Sequence, residues 1–421
     1  MLKRIAVQQL RPGMFIHELC GSWMEHPFWR LKFVLKEAAD LERIRASGIQ
    51  ALWIDTARGL DVEGGLSQGE VAAQVERELE EAFNEPVAPI APAAPAQDDS
   101  FVQAAQLRDK AMRRMQSLFS EVRMGRAIHM AGCASTVEDI IGSVDRQPGA
   151  LVSLLRLKTQ DEYTYLHSVA VCALMVALAR TLGLADEVVR ELGIAGLLHD
   201  IGKARIPLRV LHKPAKLSDE EFALIKRHPE FGFALLREND MVSPMALDVC
   251  LHHHEKVDGS GYPRGLKQER ISLYAKIAAV CDVYDAVTSA RPYKEAWAPG
   301  EAVRQMAQWK GHFDTAVFQA FVKTVGIYPV GTLVRLKSQR LGVVLDQGGH
   351  TLLTPRVKVI YCAKHKVRLP DQVIDLSQGG ADDAIVGVES AHQWGLKHID
   401  RHWLSEAGVP LEGPLAFAAA A

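Results

Sequence analysis

At 421 residues the chain exceeds one ordinary hydrophobic core, and its length suggests two or three domains. Its composition, 48% hydrophobic and 24% charged, is normal for a soluble globular protein. The formal net charge of -2 gives no long-range attraction for nucleic acid, so no nucleic-acid partner is expected, while a local basic patch for a small anion stays open.

Met1 to Gln9 lacks the apolar core of a signal peptide. The longest apolar run, Val169 to Ala179, is about half a bilayer crossing and ends at Arg180, so no membrane span is expected and a cytoplasmic location is the simplest reading. The six cysteines are widely spaced and form no Cys-x-x-Cys pair, which points away from a zinc ribbon or a disulfide framework. Cys172, Cys250 and Cys281 fall within helical apolar patterns, as core residues do.

Residues 1–85 read as a small α+β domain. Gly13-Met14-Phe15-Ile16 turns into a strand after Arg-Pro, Leu35 to Ala46 repeats apolar residues at helical spacing, Ala51 to Asp55 is a short buried strand, and Gln68 to Phe83 is an acidic helix. The Trp23, Phe28 and Trp29 cluster reads as packing. Residues 86–100, rich in Pro and Ala, read as an extended linker. A helical connector, residues 101–134, then carries Arg108, Lys110, Arg113 and Arg114 on its exposed side.

From Ser135 to Gly326 the pattern is a succession of helices with no convincing strand, so residues 101–326 form an all-helical domain. Thr164 to Leu182 is the first of these helices, and Asp186 caps a second that ends in His199-Asp200. Ser218 and Glu221 form a capping box for a third, and Pro229 forces a break at His228. Ser243-Pro244 starts a fourth that runs to His253-His254, Ile271 to Ala290 is a fifth, and Asp314 caps another. Alternating runs at Leu333 to Leu336, Gly342 to Leu345 and Val357 to Tyr361 make residues 327–421 a β-rich C-terminal extension, with a frayed end at Ala416 to Ala421. The expected fold class is multidomain and mainly α, with a small α/β N-terminal domain.

Histidine is concentrated in the helical domain: seven of the chain's 16 histidines lie between His167 and His254. His199 and Asp200 are neighbours at a helix end, so they project about 100° apart and can approach one site from two sides. Each of His167, His228 and Asp282 occupies a costly place for an unpartnered polar side chain. Any one of them alone reads as a hydrogen-bonded core residue. Seven together, with His253 and His254, read as a bimetallic site in which a carboxylate such as Asp200 can bridge through its two oxygens.

These motifs resemble the HD metal-dependent phosphohydrolases, and the stretch His253-His254-Glu255-Lys256-Val257-Asp258-Gly259-Ser260-Gly261-Tyr262-Pro263 resembles the defining element of the HD-GYP branch, the bacterial cyclic di-GMP phosphodiesterases. His199-Asp200-Ile201-Gly202-Lys203, His228-Pro229-Glu230-Phe231-Gly232 and the segment from Asp282 to Lys294 extend the match over Thr159 to Asp314. The first domain resembles a small domain of unknown function found ahead of HD-GYP domains. The resemblance implies that His167, His199, Asp200, His228, His253, His254 and Asp282 bind two divalent ions, iron or manganese, with Asp200 bridging. It implies catalytic roles for His199, Asp200 and Lys203. Lys203, Gly261, Tyr262, Pro263, Asp285, Arg291 and Lys294 would line the substrate site.

Some family members hold a third metal through a glutamate one helical turn before the first histidine, where this chain has Tyr163. Glu162 is the nearest substitute, and a third ion stays open. His252 falls one position early on its helix and is left out of the ligand set. The implied activity is hydrolysis of the second messenger cyclic di-GMP to linear pGpG, or onward to GMP, through attack of a metal-activated hydroxide on phosphorus. The alternatives are a non-hydrolysing cyclic di-GMP receptor and an HD phosphohydrolase acting on another nucleotide. A diguanylate cyclase domain at the Gly-Tyr-Pro loop and a homodimer are partners the family suggests.

Overall fold

The chain's most apolar stretch becomes the helix around which the others pack. In the computed structural model, which describes residues 1–20, 32–47, 49–84, 100–159, 161–213, 215, 217–289, 296–346, 353–378 and 383–409, the chain divides into two compact units: 1–86 with 304–313, and 87–303 with 314–421. The aromatic cluster at 23–29, nearly all of the linker, Arg291, Lys294 and the alanine-rich end lie outside the described residues.

The first unit is a five-stranded antiparallel sheet in the order β3-β2-β4-β1-β5, made of β1 (Leu2–Ala6), β2 (Phe15–Cys20), β3 (Phe33–Val34), β4 (Ala51–Asp55) and β5 (Leu66–Ser67). Two helices accompany it, α1 (Ala38–Ala46) and α2 (Gln68–Asn84). Ile5, Met14, Ile16, Leu35, Ile44, Leu52 and Ile54 form its core. α1 starts three residues later than the apolar period suggests, because Leu35 is held extended by backbone bonds to Gly13 and Met14.

The second unit begins with α3 (Ser100–Arg123), α4 (Met130–Arg146) and α5 (Pro148–Arg156), then α6 (Tyr163–Thr181) and α7 (Asp186–Leu198). After a 3-10 turn at Ile201–Arg205 come α8 (Leu208–Leu211), α9 (Asp219–Ile225), α10 (His228–Arg237), α11 (Pro244–His252), α12 (Leu273–Thr288), α13 (Pro299–Ala307), whose residues from Arg304 on are counted with the first unit, and α14 (Thr315–Val325). An antiparallel sheet follows in the order β10-β6-β7-β8-β9: β6 (Leu333–Leu336), β7 (Arg340–Asp346), β8 (Arg356–Cys362), β9 (Val367–Asp375) and β10 (Ile385–Val388), with α15 (Asp400–Glu406) at its end. The protein is therefore mainly helical, with a small α/β region before the helices and a β-rich region after them.

The α6 helix is long and apolar enough to cross a membrane, but 78% of its apolar window is buried inside the protein, which makes it the core helix of this unit. The capping signals at Ser218, Ser243 and Asp314 are made: their side chains accept from the backbone N–H of Glu221, Ala246 and Val317 at 3.2 Å each. Asp186 is not the cap of α7. Ala185 is, and Asp186 stands in the first turn, where Arg180 takes its carboxylate. Arg108 is a second correction. It is fully buried rather than exposed, donating to Leu157 O and Glu162 Oε2 at 3.1 Å each and to Asp109 at 2.6 Å.

Two glycines set how closely the histidine-bearing segments approach. A Cβ at Gly196 would lie 2.8 Å from Met175 Sδ and 3.0 Å from Cys172 Cα, so α7 can lie tight against α6 only without one. At Gly202 a Cβ would fall 1.9 Å from the carbonyl oxygen of His228 and 2.4 Å from Gly232 N. These are backbone atoms that cannot turn aside. Gly202→Ala is expected to destabilise the protein by about 3 kcal/mol, the upper end for overpacking, read as a lowered urea midpoint at unchanged slope.

Candidate metal centre

Three helix ends and two helix interiors converge on one buried point. His199 closes α7, His228 opens α10 directly after α9, and His253 closes α11. His167 lies in the second turn of α6 and Asp282 within α12. The α6 and α12 positions are apolar around the polar residue, so the helices bury these groups and must give them partners.

Asp200 sits between two sets of imidazoles. Its Oδ2 lies 3.4 Å from His167 Nε2 and 3.4 Å from His199 Nε2, while Oδ1 lies 3.1 Å from His228 Nε2 and 3.9 Å from His253 Nε2. Asp282 Oδ1 is 2.9 Å from His167 Nε2 and 3.9 Å from His199 Nε2, and its Oδ2 is 3.5 Å from His254 Nδ1. Two half-sites result, His167, His199 and Asp282 on one side and His228, His253 and His254 on the other, and a third group, His199, Asp200 and His253, joins them, with the donor atoms of each group within 4.8 Å of one another.

The far nitrogens are anchored, which leaves the near ones aimed inward. His199 Nδ1 bonds Gly196 O at 2.7 Å, His228 Nδ1 bonds Ile225 O at 2.8 Å, and His253 Nδ1 bonds Cys250 O at 3.0 Å. A ring whose Nδ1–H is given to a carbonyl presents a lone pair at Nε2. His199 Nε2 and Asp200 Oδ1 have no hydrogen-bond partner although both are buried. Nitrogen lone pairs and carboxylate oxygens facing one another without protons between them need a cation, and the donor set suits a divalent one.

Electrostatics agree with that need. Burial pushes the His253 imidazole down to about 3, with His199 and His228 adding to the effect, and burial with His253 holds His254 well below the usual range. Burial alone would raise Asp200, but Lys203 and His199 outweigh it and hold the carboxylate well below its ordinary value. Burial opposes ionisation of Asp282 too, and His167 and His254 overcome it. His199 goes the other way: burial would lower it, and Asp200 with Asp282 raises it.

Around the centre, Lys203 pairs with Asp200 from the next turn of chain. The Tyr262 ring stacks on His254 with centroids 4.7 Å apart, and its hydroxyl is buried without a partner. A Cβ at Gly261 would lie 2.4 Å from Lys256 N, so the loop of Gly261, Tyr262 and Pro263 folds directly against the chain that follows α11. Glu255 secures it by accepting from Arg264 N at 2.6 Å and Leu266 N at 2.8 Å.

Two expected site residues have other partners. Glu162 does not reach the centre: its carboxylate is held by Arg108 and by Thr159 N and Oγ1 at 3.0 Å, and Tyr163 instead stacks on His167. Asp285, expected at the substrate site, is buried beside His167, with one oxygen 2.6 Å from its Nδ1 and both 2.6 Å from Lys158 Nζ. His252 turns away to Asp248 at 2.8 Å. Sequence reasoning missed Lys158 and Glu255. Nothing marks Lys158 locally, whereas Glu255 carried a signal, the position directly after the histidine pair.

Residues 2–133 match a domain of unknown function, DUF3391, and residues 137–317 match the HD domain. The chain is similar to a cyclic di-GMP phosphodiesterase of Pseudomonas aeruginosa, 54% identical over 409 residues, which cover 96% of each protein. It is also similar to the cyclic di-GMP phosphodiesterase response regulator RpfG of Xanthomonas campestris, 47% identical over 148 residues, 34% of this chain and 39% of that protein. A cyclic di-GMP phosphodiesterase of Thermotoga maritima is 40% identical over 166 residues, 39% of this chain and 45% of that one. With its paired half-sites, its Gly-Tyr-Pro loop and this likeness along nearly the whole length, the chain belongs to the HD-GYP family of HD-domain proteins.

Proposed function

We propose that the protein is a metal-dependent phosphodiesterase that opens cyclic di-GMP to linear pGpG, and that the two half-sites each hold one divalent ion, iron or manganese. The observation that carries this reading is Asp200, whose two oxygens each face a different pair of imidazole nitrogens. The substrate class follows from the relatives, which are named for cyclic di-GMP. When bound, a pair of divalent cations supplies Lewis acidity at phosphorus and lowers the pKa of water for the attack.

The chain's own residues do the rest. His167, His199 and Asp282 would hold one ion, His228, His253 and His254 the other, with Asp200 shared between them. Lys203, paired with Asp200 and partly exposed, is placed to meet a phosphate oxygen and offset the charge added in the transition state. Gly261, Tyr262 and Pro263 line the entrance, and Arg291 and Lys294, outside the described residues, keep the phosphate-binding role their motif suggests. In this reading residues 101–326 are catalytic, in the cytoplasm, and residues 1–85 regulatory. A diguanylate cyclase domain would meet the Gly-Tyr-Pro loop, and self-association would give a homodimer.

Protein purified without oxygen and loaded with iron or manganese is expected to convert cyclic di-GMP to pGpG, seen by chromatography. Asp200→Ala should lower kcat by about 1000-fold or more, ~4 kcal/mol in the barrier. Saturable binding with no turnover in the metal-replete enzyme would instead make the protein a receptor.

Donors must be deprotonated to bind, so acid acts on the same residues. His253 titrates near 3 in the fold against 6.5 for an ordinary histidine, and His254 is lowered too. Between those values the unfolded chain binds protons that the folded chain refuses, so stability falls as pH drops from about 6.5 toward 3. For chelator-treated protein the expected loss is up to about 1.4 kcal/mol per pH unit for each histidine, measured by urea unfolding at pH 7 and pH 5. A flat profile would contradict it.

A further inference from the structure

His167 differs from its neighbours in how its outer nitrogen is held. His199, His228 and His253 stand at helix ends, where the carbonyls of the last turn have no intrahelical partner and can take an imidazole N–H. His167 is in the second turn of α6, where the preceding carbonyls are committed to the helix ladder. Its Nδ1 meets a carboxylate instead, Asp285 Oδ2 at 2.6 Å, delivered from α12.

That carboxylate is fixed in turn. Both oxygens of Asp285 lie 2.6 Å from the ammonium of Lys158, whose side chain is fully buried. An uncompensated carboxylate at this depth would be driven neutral or toward a cation of its own. With Lys158 opposite, it stays charged and turned away from the centre. Tyr163 closes the third side, its ring stacked on His167 at 5.4 Å and 11°, with the Lys158 ammonium 5.6 Å from the same ring. The imidazole can neither swing nor flip.

We propose that Lys158 and Asp285 are positioning residues that fix His167 as a donor and make its half-site the tighter of the two cation sites. A carboxylate is a stronger acceptor than a carbonyl, and it raises the basicity of the nitrogen across the ring. The same half-site also has Asp282, whereas the other consists of three histidines beside the shared Asp200. The inference rests on the two-ion centre proposed above and is independent of which nucleotide is cleaved.

The test titrates manganese alone into full-length, chelator-stripped protein by calorimetry, with free ion counted by electron paramagnetic resonance. The unaltered protein should bind in two steps. Asp285→Asn should weaken the tighter step by about 10–100-fold and leave the weaker one unchanged. Lys158→Met combined with Asp285→Asn, which removes both buried charges together, should lose no more than Asp285→Asn alone, because the part proposed for Lys158 toward His167 is to hold the Asp285 carboxylate charged and in place. Thermal unfolding of the metal-free proteins shows whether each variant is folded, and the double variant carries the test if the single one is not. Unchanged steps, equal weakening of both, or a further loss in the double variant would overturn the proposal. Failure of the unaltered protein to take up two ions would overturn the centre itself.

Discussion

The helical domain depends on keeping Asp200 ionised in its interior. A buried carboxylate is expensive, and the attraction that offsets the cost must come from groups fixed in place before any ligand arrives. Here the fixed attraction comes from Lys203, and the imidazole lone pairs on the other sides leave the remainder to a cation. Removing one member leaves the rest uncompensated, so the centre behaves as a unit. That requirement explains why Gly196 and Gly202 are needed: a side chain at either would hold apart the segments that bring the charges together.

Helix ends are a natural source of such geometry. The last turn of a helix has carbonyls to spare, and an imidazole three residues on can give its Nδ1–H to one of them while pointing Nε2 forward. α7, α9 and α11 each end this way, at Gly196, Ile225 and Cys250. The break before Pro229 is therefore functional as well as steric: it ends α9 where its terminal carbonyl can hold His228.

Local pattern carried much of this into the sequence. The capping residues Ser218, Ser243 and Asp314, the apolar period of α6 and the alternation of β6 to β8 all act within a few residues of themselves, and the same is true of the histidine pairs. What escaped were charges paired across long stretches of chain. Arg108 meets Glu162, and Lys158 meets Asp285, through contacts 54 and 127 residues apart. No period reveals such a partner, so Arg108 read as an exposed cation and Asp285 as a substrate contact. Glu162 read as a spare ligand for the same reason. The Gly-Tyr-Pro loop was legible as a motif, but its packing on His254 through Tyr262 was not.

The charges around the centre also favour an anionic substrate. Asp200, Asp282 and Asp285 contribute three negative charges, and Lys158 and Lys203 return two positive ones, while His253 and His254 are neutral at physiological pH. Were each half-site closed by carboxylates, the protein would neutralise two divalent ions outright. With imidazoles making up most of the donor set, the protein would offset only about one of the four positive charges of the two proposed ions, and the surplus would attract a phosphodiester and the charge added to it as the bond breaks. Lys158 contributes to that surplus from behind the site: by cancelling Asp285 it lets a carboxylate orient His167 without diminishing the field at the mouth.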